Sequence, residues 1–424
     1  MGSEAILVLG SQFGDEGKGK LIDIIAAERD ICIRAQGGHN AGHTIVHGDL
    51  KFNFHLLPSG LLHPKCINLV GSGCVVHVPS LLKELASLDE NGIQYKDRLF
   101  LSDRCHVDFD LHHEVDGLSE VELGKSAVGT TRKGIGPTYS NRADRSGAML
   151  ADIFDDELLE TKLRRMADGY HKRYGGLLSK YDVEEEIARF KTYRERLADL
   201  VRDEVPLLRS AKAQGLKMVV EGAQAAGLDI AFGTYPFVTS SNCSVGGMLA
   251  GVSIGWNSVK EVIGVVKAYA TRVGGGPFLT EQLNEDGDKL QSIGKEFGVT
   301  TGRRRRTGWL DLVQVLLAHE VNSFTALNLT KLDVLDTFEE IQVGIAYTVD
   351  GTELDSFPAG KKILDKVQVK YRTFRGWKTS TTGVTKWDEL PKAAQEYLEF
   401  IEQFVGVKIK YIGTGPGREH MIVR

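Results

Sequence analysis

Short apolar runs recur along the chain and alternate with longer segments whose apolar residues lie three or four positions apart. The short runs predict buried strands at 5–9, 30–35, 98–101, 217–220, 262–268, 324–329 and 407–412. The longer segments predict helices at 21–27, 78–88, 310–320 and 392–404. Because buried strands that alternate with helices are typical of parallel sheets covered on both faces, we predict an α/β fold. Its centre is a large, mostly parallel sheet flanked by helices.

Several stretches depart from this alternation and predict insertions. Residues 108–124 and 152–215 are rich in charge and have amphipathic helical spacing, which predicts a peripheral helical layer. Residues 45–57, interrupted at Gly48-Asp49, predict a β-hairpin, and 341–349 with 367–371 predict a small antiparallel section. We therefore predict one α/β domain over residues 1–424, with a mainly helical peripheral insertion at 100–214 and small antiparallel insertions.

Composition and charge narrow the classes of partner. The 424 residues include 52 Lys and Arg against 57 Asp and Glu, a net charge of -5, so no overall basic field favours nucleic acid or a membrane surface. No apolar run is long enough to span a bilayer, and we expect no secretory signal. The five cysteines are scattered without a C-x-x-C pair. They indicate reduced thiols and a cytoplasmic location.

Residues 14–20, between a predicted strand and a predicted helix, form the strongest candidate ligand site. Their glycines let the backbone turn sharply and approach a ligand closely. A helix N-terminus and two lysines, Lys18 and Lys20, favour a phosphate as that ligand. The spacing nearly matches the phosphate-loop pattern G-x-x-x-x-G-K-[ST], except that Leu21 stands at the Ser/Thr position. We therefore expect a fold similar to that of phosphate-loop NTPases.

A carboxylate and an imidazole near this loop suit acid–base chemistry. Asp15 lies inside a phosphate-binding loop, where a carboxylate is repelled unless it binds a metal ion or takes a proton from a substrate. His43 lies in the glycine-rich loop 36–44 after the next predicted strand, and an imidazole titrates near neutral pH. Asp15 and His43 are thus candidates for base and acid on opposite sides of one substrate, although His43 also fits a bystander polar histidine.

Three further segments are candidate binding sites. The carboxylate of Asp333, in the segment 330–333 after a predicted strand, can accept from the N1–H and N2–H₂ groups of guanine, or it can simply cap a helix. The loop 129–137 offers hydroxyls and cations to an anion, and an ordinary solvated loop fits it equally well. The arginine run 303–306 fits a clamp for a small acid, a nucleic-acid patch or a solvated face.

Two hypotheses besides a nucleotide-dependent enzyme remain open from these segments. One is a GTPase switch, which would hydrolyse GTP without a second substrate. The other is a nucleic-acid-binding protein that uses the arginine run, which would show steep salt dependence. Neither hypothesis explains Asp15 or the loop 36–44.

Taken together, these segments resemble the adenylosuccinate synthetases. The resemblance spans nearly the whole chain, with GDEGKGK at 14–20, QGGHNAGHT at 36–44, GTT at 129–131, GTYPFVTSSN at 233–242, VTTGRRRRTGW at 299–309, TKLDVLD at 330–336 and GTGP at 413–416. It implies a GTP-dependent ligase that joins L-aspartate to IMP and gives adenylosuccinate, GDP and phosphate. In this family the γ-phosphoryl group first moves to O6 of IMP, and the aspartate amine then displaces it. This is the first committed step of AMP synthesis from IMP.

The resemblance also implies roles for individual residues. Asp15 would take the N1 proton of IMP, and His43 would act as the acid that stabilises charge on the transferred phosphoryl group and on O6. Asp15 and the backbone carbonyl of Gly42 would hold Mg²⁺. The family resemblance further implies a homodimer in which Arg145 reaches the neighbouring site.

The other contacts implied by the resemblance fall into three sets. The GTP set is Gly14, Asp15, Glu16, Gly17, Lys18, Gly19, Lys20, Gly42, His43, Thr44, Arg305, Lys331, Leu332, Asp333, Gly413, Thr414 and Gly415. The IMP set is Asp15, Glu16, Gly17, Lys18, Asn40, Ala41, Gly42, His43, Thr131, Arg145, Gln224, Thr239 and Arg303. The L-aspartate set is Val299, Thr300, Thr301, Gly302, Arg303, Arg304 and Arg305.

Overall fold

The structure, a computed structural model, describes residues 4–47, 50–298 and 302–424. Its strands are β1 (Ala5–Gly10), β2 (Ile31–Arg34), β3 (His43–His47), β4 (Leu50–Phe54), β5 (Ile67–Val70), β6 (Val75–Val76), β7 (Leu99–Ser102), β8 (His106–Val107), β9 (Val201–Arg202), β10 (Met218–Ala225), β11 (Val259–Lys267), β12 (Ala270–Arg272), β13 (Arg306–Gly308), β14 (Leu310–Asp311), β15 (Ala326–Thr330), β16 (Glu340–Val349), β17 (Thr352–Leu354), β18 (Gln368–Arg375), β19 (Ile409–Gly413) and β20 (Met421–Val423). Its helices are α1 (Lys18–Ala26), α2 (Val78–Glu90), α3 (Asp110–Leu123), α4 (Ile135–Asp144), α5 (Asp156–Tyr174), α6 (Val183–Leu197), α7 (Glu204–Ala213), α8 (Val245–Ala250), α9 (Glu285–Gly294), α10 (Leu312–Asn322), α11 (Lys361–Leu364) and α12 (Lys392–Val405).

Ten of these strands form one sheet in the order β20-β19-β15-β11-β1-β10-β2-β5-β7-β9. Its neighbouring strands pair in parallel, except that β20 is antiparallel to β19. All six residues of β1 are buried, as expected for a central strand that is covered on both faces. The predicted α/β fold with a large, mostly parallel sheet is therefore confirmed.

The insertions contain helices and short antiparallel pairs. Helices α3 to α6 pack with α2 around an apolar cluster that includes Leu111, Val115, Leu159 and Phe190. Strands β3 and β4 form the expected hairpin, and β16 pairs antiparallel with β17 and β18. The division into one domain with an insertion at 100–214 stays a prediction.

Some elements differ from the sequence-based expectation. Helix α1 begins at Lys18 instead of 21, so the lysines of the phosphate loop lie in its first turn. The expected loop 129–137 ends at Gly134, whose left-handed φ of 67° allows α4 to begin at Ile135. Strand β5 was not predicted because it has only four residues, one of which is Asn68. Helix α9 was not predicted because its ten residues are mostly polar and glycine.

The sheet determines where the candidate loops meet. Parallel strands point in one direction, so their carboxyl ends lie along one edge, where ligands bind in open α/β folds. In the order β19, β15, β11, β1, β10 and β2, these ends lead into the segments 413–415, 330–333, 267–269, 10–20, 221–225 and 35–44. The candidate loops thus lie side by side along this edge. Among the described helices, none combines the length and the apolar character needed to cross a bilayer.

Candidate functional site

The phosphate loop is shaped by two glycines and a buried carboxylate. Gly14 and Gly17 have φ of 97° and 87°, in the left-handed region that favours glycine. Glu16 is buried, and its Oε1 accepts the backbone N–H groups of Gln12 at 3.0 Å and Gly14 at 2.8 Å. Its Oε2 pairs with Lys18 Nζ at 2.9 Å. Glu16 therefore holds the loop backbone and one of its lysines, an arrangement that the sequence did not reveal.

Asp15 lies between two cations from other parts of the chain, Lys267 at the end of β11 and Arg305 just before β13. Its Oδ2 is 3.0 Å from Arg305 Nε, and its Oδ1 is 3.6 Å from Lys267 Nζ. Only 12% of its side chain is exposed. Lys267 and Arg305 thus fix the orientation of the Asp15 carboxylate, which belongs to the loop that follows β1.

Glu296 links these two cations to the 330–333 segment. Its buried carboxylate is 3.2 Å from Lys267 Nζ, 2.7 Å from Lys331 Nζ and 2.5 Å from Arg305 Nη1, and it accepts the hydroxyl of Tyr269. Burial opposes its ionisation, but the three cations outweigh burial and lower its pKa. No motif in the sequence marks Glu296. The signal that could have led to it is Lys267, a lysine at the end of an apolar strand.

His43 lies in a buried setting beside β10. Its Nε2 is 3.6 Å from Glu221 Oε1, and its ring packs edge-on against Phe54. Burial lowers the pKa of His43 to about 4, and nearby Arg34 and Lys18 lower it while Glu221 opposes the shift. The imidazole is therefore neutral at neutral pH in the structure.

The 330–333 and 413–415 segments meet the phosphate loop from its other side. Thr330 Oγ1 donates to Glu16 O at 2.6 Å, and Lys20 Nζ donates to the carbonyls of Gly415 at 2.9 Å and His420 at 2.7 Å. Burial lowers the pKa of Lys20 to about 8. Burial also raises the pKa of Asp333, whose Oδ1 has no hydrogen-bond partner in the part of the chain that the structure describes.

Leu332 and Thr414 are both buried. The hydroxyl of Thr414 donates to Val384 O at 2.8 Å, outside these two segments. Lys20 therefore connects the phosphate loop to the 413–415 segment, and the Asp333 carboxylate lies beside this connection.

The predicted IMP residues line the opposite end of the site. Gln224 has a φ of 54°, and its Cα would lie 3.1 Å from a Cβ at Gly14, so it abuts the phosphate loop. Buried side-chain oxygens of Gln224, Thr239 and Asn40 have no hydrogen-bond partner among residues 4–47, 50–298 and 302–424. Thr239 also lines a cavity of about 650 Å³.

Other predicted IMP and metal residues lie at exposed positions. Gly42, Thr131 and Arg145 are exposed, and the N–H of Ala41 donates to Gly38 O at 3.3 Å. Arg145 ends α4 with a left-handed φ of 62°. The structure does not bring Thr131 or Arg145 against Asp15.

The arginine run is divided among several carboxylates. Arg304 pairs with Asp288 at 3.0 Å, Arg306 pairs with Glu281, and Arg305 pairs with Asp15 and Glu296 as described above. Arg303 is exposed, and its carbonyl accepts the N–H of Gly298 at 2.8 Å. Gly302 adjoins this turn, and the predicted aspartate residues Val299, Thr300 and Thr301 lie outside the described residues. Arg304, Arg305 and Arg306 are thus each in an ion pair, which disfavours a continuous nucleic-acid patch.

These features define a class of protein. The strand–loop–helix turn at 10–20 lies beside the unpaired Asp333 carboxylate on one side and beside buried, unpaired polar groups on the other. Such an arrangement suits an α/β enzyme that uses a nucleotide as phosphoryl donor to a second substrate.

Comparison with known proteins identifies the family. The family model for adenylosuccinate synthetase matches residues 7–422. Adenylosuccinate synthetases of the fungi Pyrenophora tritici-repentis and Phaeosphaeria nodorum are each 59% identical over 418 residues, covering 99% of this chain and 99% and 98% of the relatives. The chain belongs to the adenylosuccinate synthetase family and is a ligase. Enzymes of this family join L-aspartate to IMP with GTP.

Solved structures agree with this assignment. The fully ligated adenylosuccinate synthetase of Plasmodium falciparum is 41% identical and superposes with a TM-score of 0.95 over 99% of both chains. The succinoaminodeoxyadenylate synthetase of cyanophage S-2L has a TM-score of 0.64 at 17% identity, which shows a shared fold alone.

Proposed function

We propose that this chain joins L-aspartate to IMP through 6-phosphoryl-IMP, with GTP as the phosphoryl donor and Asp15 as the base. Asp15 takes the N1 proton of IMP, and O6 then attacks the γ-phosphorus of GTP as GDP leaves. The aspartate amine next attacks C6, phosphate leaves, and adenylosuccinate forms. The observation that carries this proposal is that Asp15 lies within the phosphate loop and is also held by Arg305 and Lys267.

We propose that GTP and IMP bind on opposite sides of β1 along the carboxyl edge of the sheet. The guanine base of GTP lies against Lys331, Leu332, Asp333 and the 413–415 segment, and its phosphates lie over the first turn of α1. IMP lies toward Gln224, Thr239 and the loop 36–44. The proposal is supported by the sheet order, because β19 and β15 lie on one side of β1 and β10 and β2 lie on the other.

His43 is proposed to be the acid on the phosphoryl side. In the structure its imidazole is neutral, because burial lowers its pKa to about 4. The phosphoryl oxygens of the substrates would raise that pKa, since nearby negative charge favours the imidazolium. His43 then stabilises charge on the transferred group and on O6 by donating from its ring nitrogen.

The residues around Asp15 fit a magnesium ion. Asp15 Oδ2 is buried and forms an ion pair with Arg305 Nε at 3.0 Å, but it makes no hydrogen bond in the described part of the chain. Carboxylate and carbonyl oxygens are the ligands that Mg²⁺ prefers. We propose that Asp15 and the carbonyl of Gly42 hold it. When bound, Mg²⁺ supplies positive charge to the phosphates, while Lys18, Arg305 and the N–H groups of α1 orient them.

The aspartate substrate is proposed to lie against residues 299–305, where a guanidinium can bind its carboxylates in bidentate geometry. We also propose a homodimer in which Arg145 reaches the neighbouring site, supported by the exposed position of Arg145 at the end of α4. A cytoplasmic location is supported by five cysteines that are all free and buried.

Phosphate release tests the proposed function. We expect release only when GTP, IMP and L-aspartate are present together, and little release when ATP replaces GTP. Asp333→Asn should narrow the difference between GTP and ATP, because Asp333 is the proposed acceptor for guanine. Equal GTP hydrolysis without IMP and L-aspartate would instead favour a GTPase switch.

A further inference from the structure

Three histidines from separate segments meet beside the proposed IMP loop. His39 follows β2, His77 precedes α2 and His113 lies on α3. One ring nitrogen of each lies within 4.8 Å of those of the other two. The ring centroids of His77 and His113 are 4.2 Å apart, and those of His39 and His77 are 4.9 Å apart. This histidine cluster is separate from the acid–base pair of the proposed reaction.

A buried carboxylate faces two of these rings without bonding to them. Asp108 Oδ2 lies 3.6 Å from His39 Nδ1 and 3.7 Å from His113 Nε2, beyond hydrogen-bond distance. All three atoms are buried and have no hydrogen-bond partner among the residues that the structure describes. Buried polar atoms are rarely left unpaired, because each costs free energy. These three atoms, each able to ligate a metal ion, lie close together in the way that ligands of a shared cation do.

The residue types of this cluster suit metal ligation. Imidazole nitrogens and carboxylate oxygens are the ligands of many zinc sites.

His77 has the supporting contacts that metal-binding histidines usually show. Its Nε2 lies 2.9 Å from Asp110 Oδ1, and its Nδ1 lies 2.7 Å from Ser80 Oγ. Metal-ligating imidazoles commonly donate their second ring N–H to such a partner, which fixes the ring. Whichever nitrogen of His77 turns to an ion, the other keeps a polar neighbour.

We propose that His39, His77 and His113, together with Asp108, bind one divalent transition-metal ion of the Zn²⁺ class. Zinc bonds of about 2.0–2.2 Å place tetrahedral ligand atoms roughly 3.3–3.6 Å apart. The distances from Asp108 Oδ2 to His39 and His113 are close to this spacing, and the histidine nitrogens, which lie within 4.8 Å of one another, would move closer together on binding. Imidazole ligands select such ions over Mg²⁺, which prefers oxygen. The site is therefore distinct from the proposed magnesium site at Asp15.

An ion at this site would join three parts of the molecule. His39 belongs to the loop 36–44, and its carbonyl already accepts Lys133 Nζ at 2.8 Å. Binding would attach that loop to α3 and to the start of α2. Because the ion binds the folded chain, we expect the unfolding temperature to rise with its concentration.

Metal titration of the full chain tests the proposal. After treatment with chelator, the protein should bind one Zn²⁺ per chain in calorimetry, and Co²⁺ should give visible d–d absorption. His113→Gln should weaken Zn²⁺ binding at least about tenfold. His171→Gln, on α5, is the matched control and should bind as the parent chain does. Absence of stoichiometric binding, or equal binding by both variants, would overturn the proposal.

Two further measurements distinguish loss of metal binding from loss of folding and identify the ligand atoms. Circular dichroism first establishes that each variant is folded, and His77→Asn replaces His113→Gln if the latter is not. X-ray absorption of the zinc-loaded parent chain should show imidazole nitrogen and oxygen ligands. Sulfur ligands would place the ion at cysteines and overturn the assignment.

Discussion

Two carboxylates near the phosphate loop share the same cations. Arg305 and Lys267 contact both Asp15 and Glu296, and Glu296 also binds Lys331 of the segment 330–333. A change at either carboxylate therefore alters the charge balance at the other. The chemistry of Asp15 and the stability provided by Glu296 can be separated by substitution.

Asp15→Asn should remove the proposed base while keeping the side-chain shape. We expect kcat to fall by about 10²- to 10⁴-fold, the usual contribution of a general base, with the fold retained. Steady-state kinetics and circular dichroism measure the two effects. Asp199→Asn, at an exposed position of the helical insertion, is the control. A parental rate in Asp15→Asn would eliminate Asp15 as the base.

Glu296→Gln should destabilise the protein, because it leaves buried cations without their shared partner. We expect the free energy of unfolding to fall by about 3–5 kcal/mol, as for other broken buried ion pairs. Urea denaturation measures this change. Glu339→Gln, which removes an exposed ion pair with Lys378, should leave the midpoint unchanged. The Glu296 interpretation fails if both variants unfold at the same urea concentration.

At the scale of elements, helix α3 holds the loop that precedes α4. Glu120 accepts the backbone N–H groups of Val128 at 3.0 Å, Gly129 at 2.7 Å and Thr130 at 3.2 Å. This loop contains Thr131, a predicted IMP residue, and Thr130 lines the cavity that Thr239 also lines. The helix therefore orders the loop before any ligand binds, which reduces the entropic cost of binding.

Glu120→Ala should raise KM for IMP by about tenfold and change kcat little. Without Glu120 the loop is ordered only when IMP binds, so the entropic cost of ordering lowers the binding free energy. Initial-rate measurements with IMP as the varied substrate provide the test. Glu114→Ala, on the same helix and exposed, is the matched control. A fall in kcat with KM unchanged would contradict the proposed role of Glu120.

At the scale of the whole molecule, buried neutral histidines make stability depend on pH. Burial lowers the pKa of His39 to about 3 and those of His43, His55 and His106 to about 4, from an ordinary value of 6.5. The unfolded chain therefore binds more protons than the folded chain as pH falls below 6.5. Stability should be fully present above that pH and should decrease between pH 6.5 and 4.

The urea midpoint measured from pH 8 to pH 4.5, with chelator present, checks this expectation. We expect a plateau above pH 7 and a progressive fall below pH 6.5. His55→Gln should make the fall shallower, because one lowered pKa is removed. A midpoint independent of pH across this range would show that these histidines are not held neutral by the fold.

Mixing two inactive variants tests the proposed dimer. An Arg145→Leu chain keeps Asp15, and an Asp15→Asn chain supplies Arg145. If Arg145 reaches the neighbouring site of a two-fold dimer, equal mixing should restore about a quarter of parental activity. Each variant incubated alone at the same total concentration is the comparison. No recovery with Arg145→Leu would mean that Arg145 acts within its own chain or not at all.

Much of the fold could be predicted because its signals are local. Strands β1, β2, β10, β11, β15 and β19 each contain a mostly apolar run, and a buried parallel strand needs such a run. Helix α9 could not be predicted in this way because it is largely polar, and β5 could not because it has only four residues, one of them Asn68. Their positions depend on packing against distant parts of the chain.

Short patterns with a local physical meaning were enough to identify the glycine-rich loop, its lysines, the acid–base candidates and the candidate base-binding segment 330–333. The strand order that aligns these loops became visible only in the tertiary structure. The tertiary structure alone brought Lys267, Glu296 and Arg305 around Asp15, and His39, His77 and His113 around Asp108. Contacts between residues far apart in the chain depend on how the sheet assembles. No local pattern therefore encodes them.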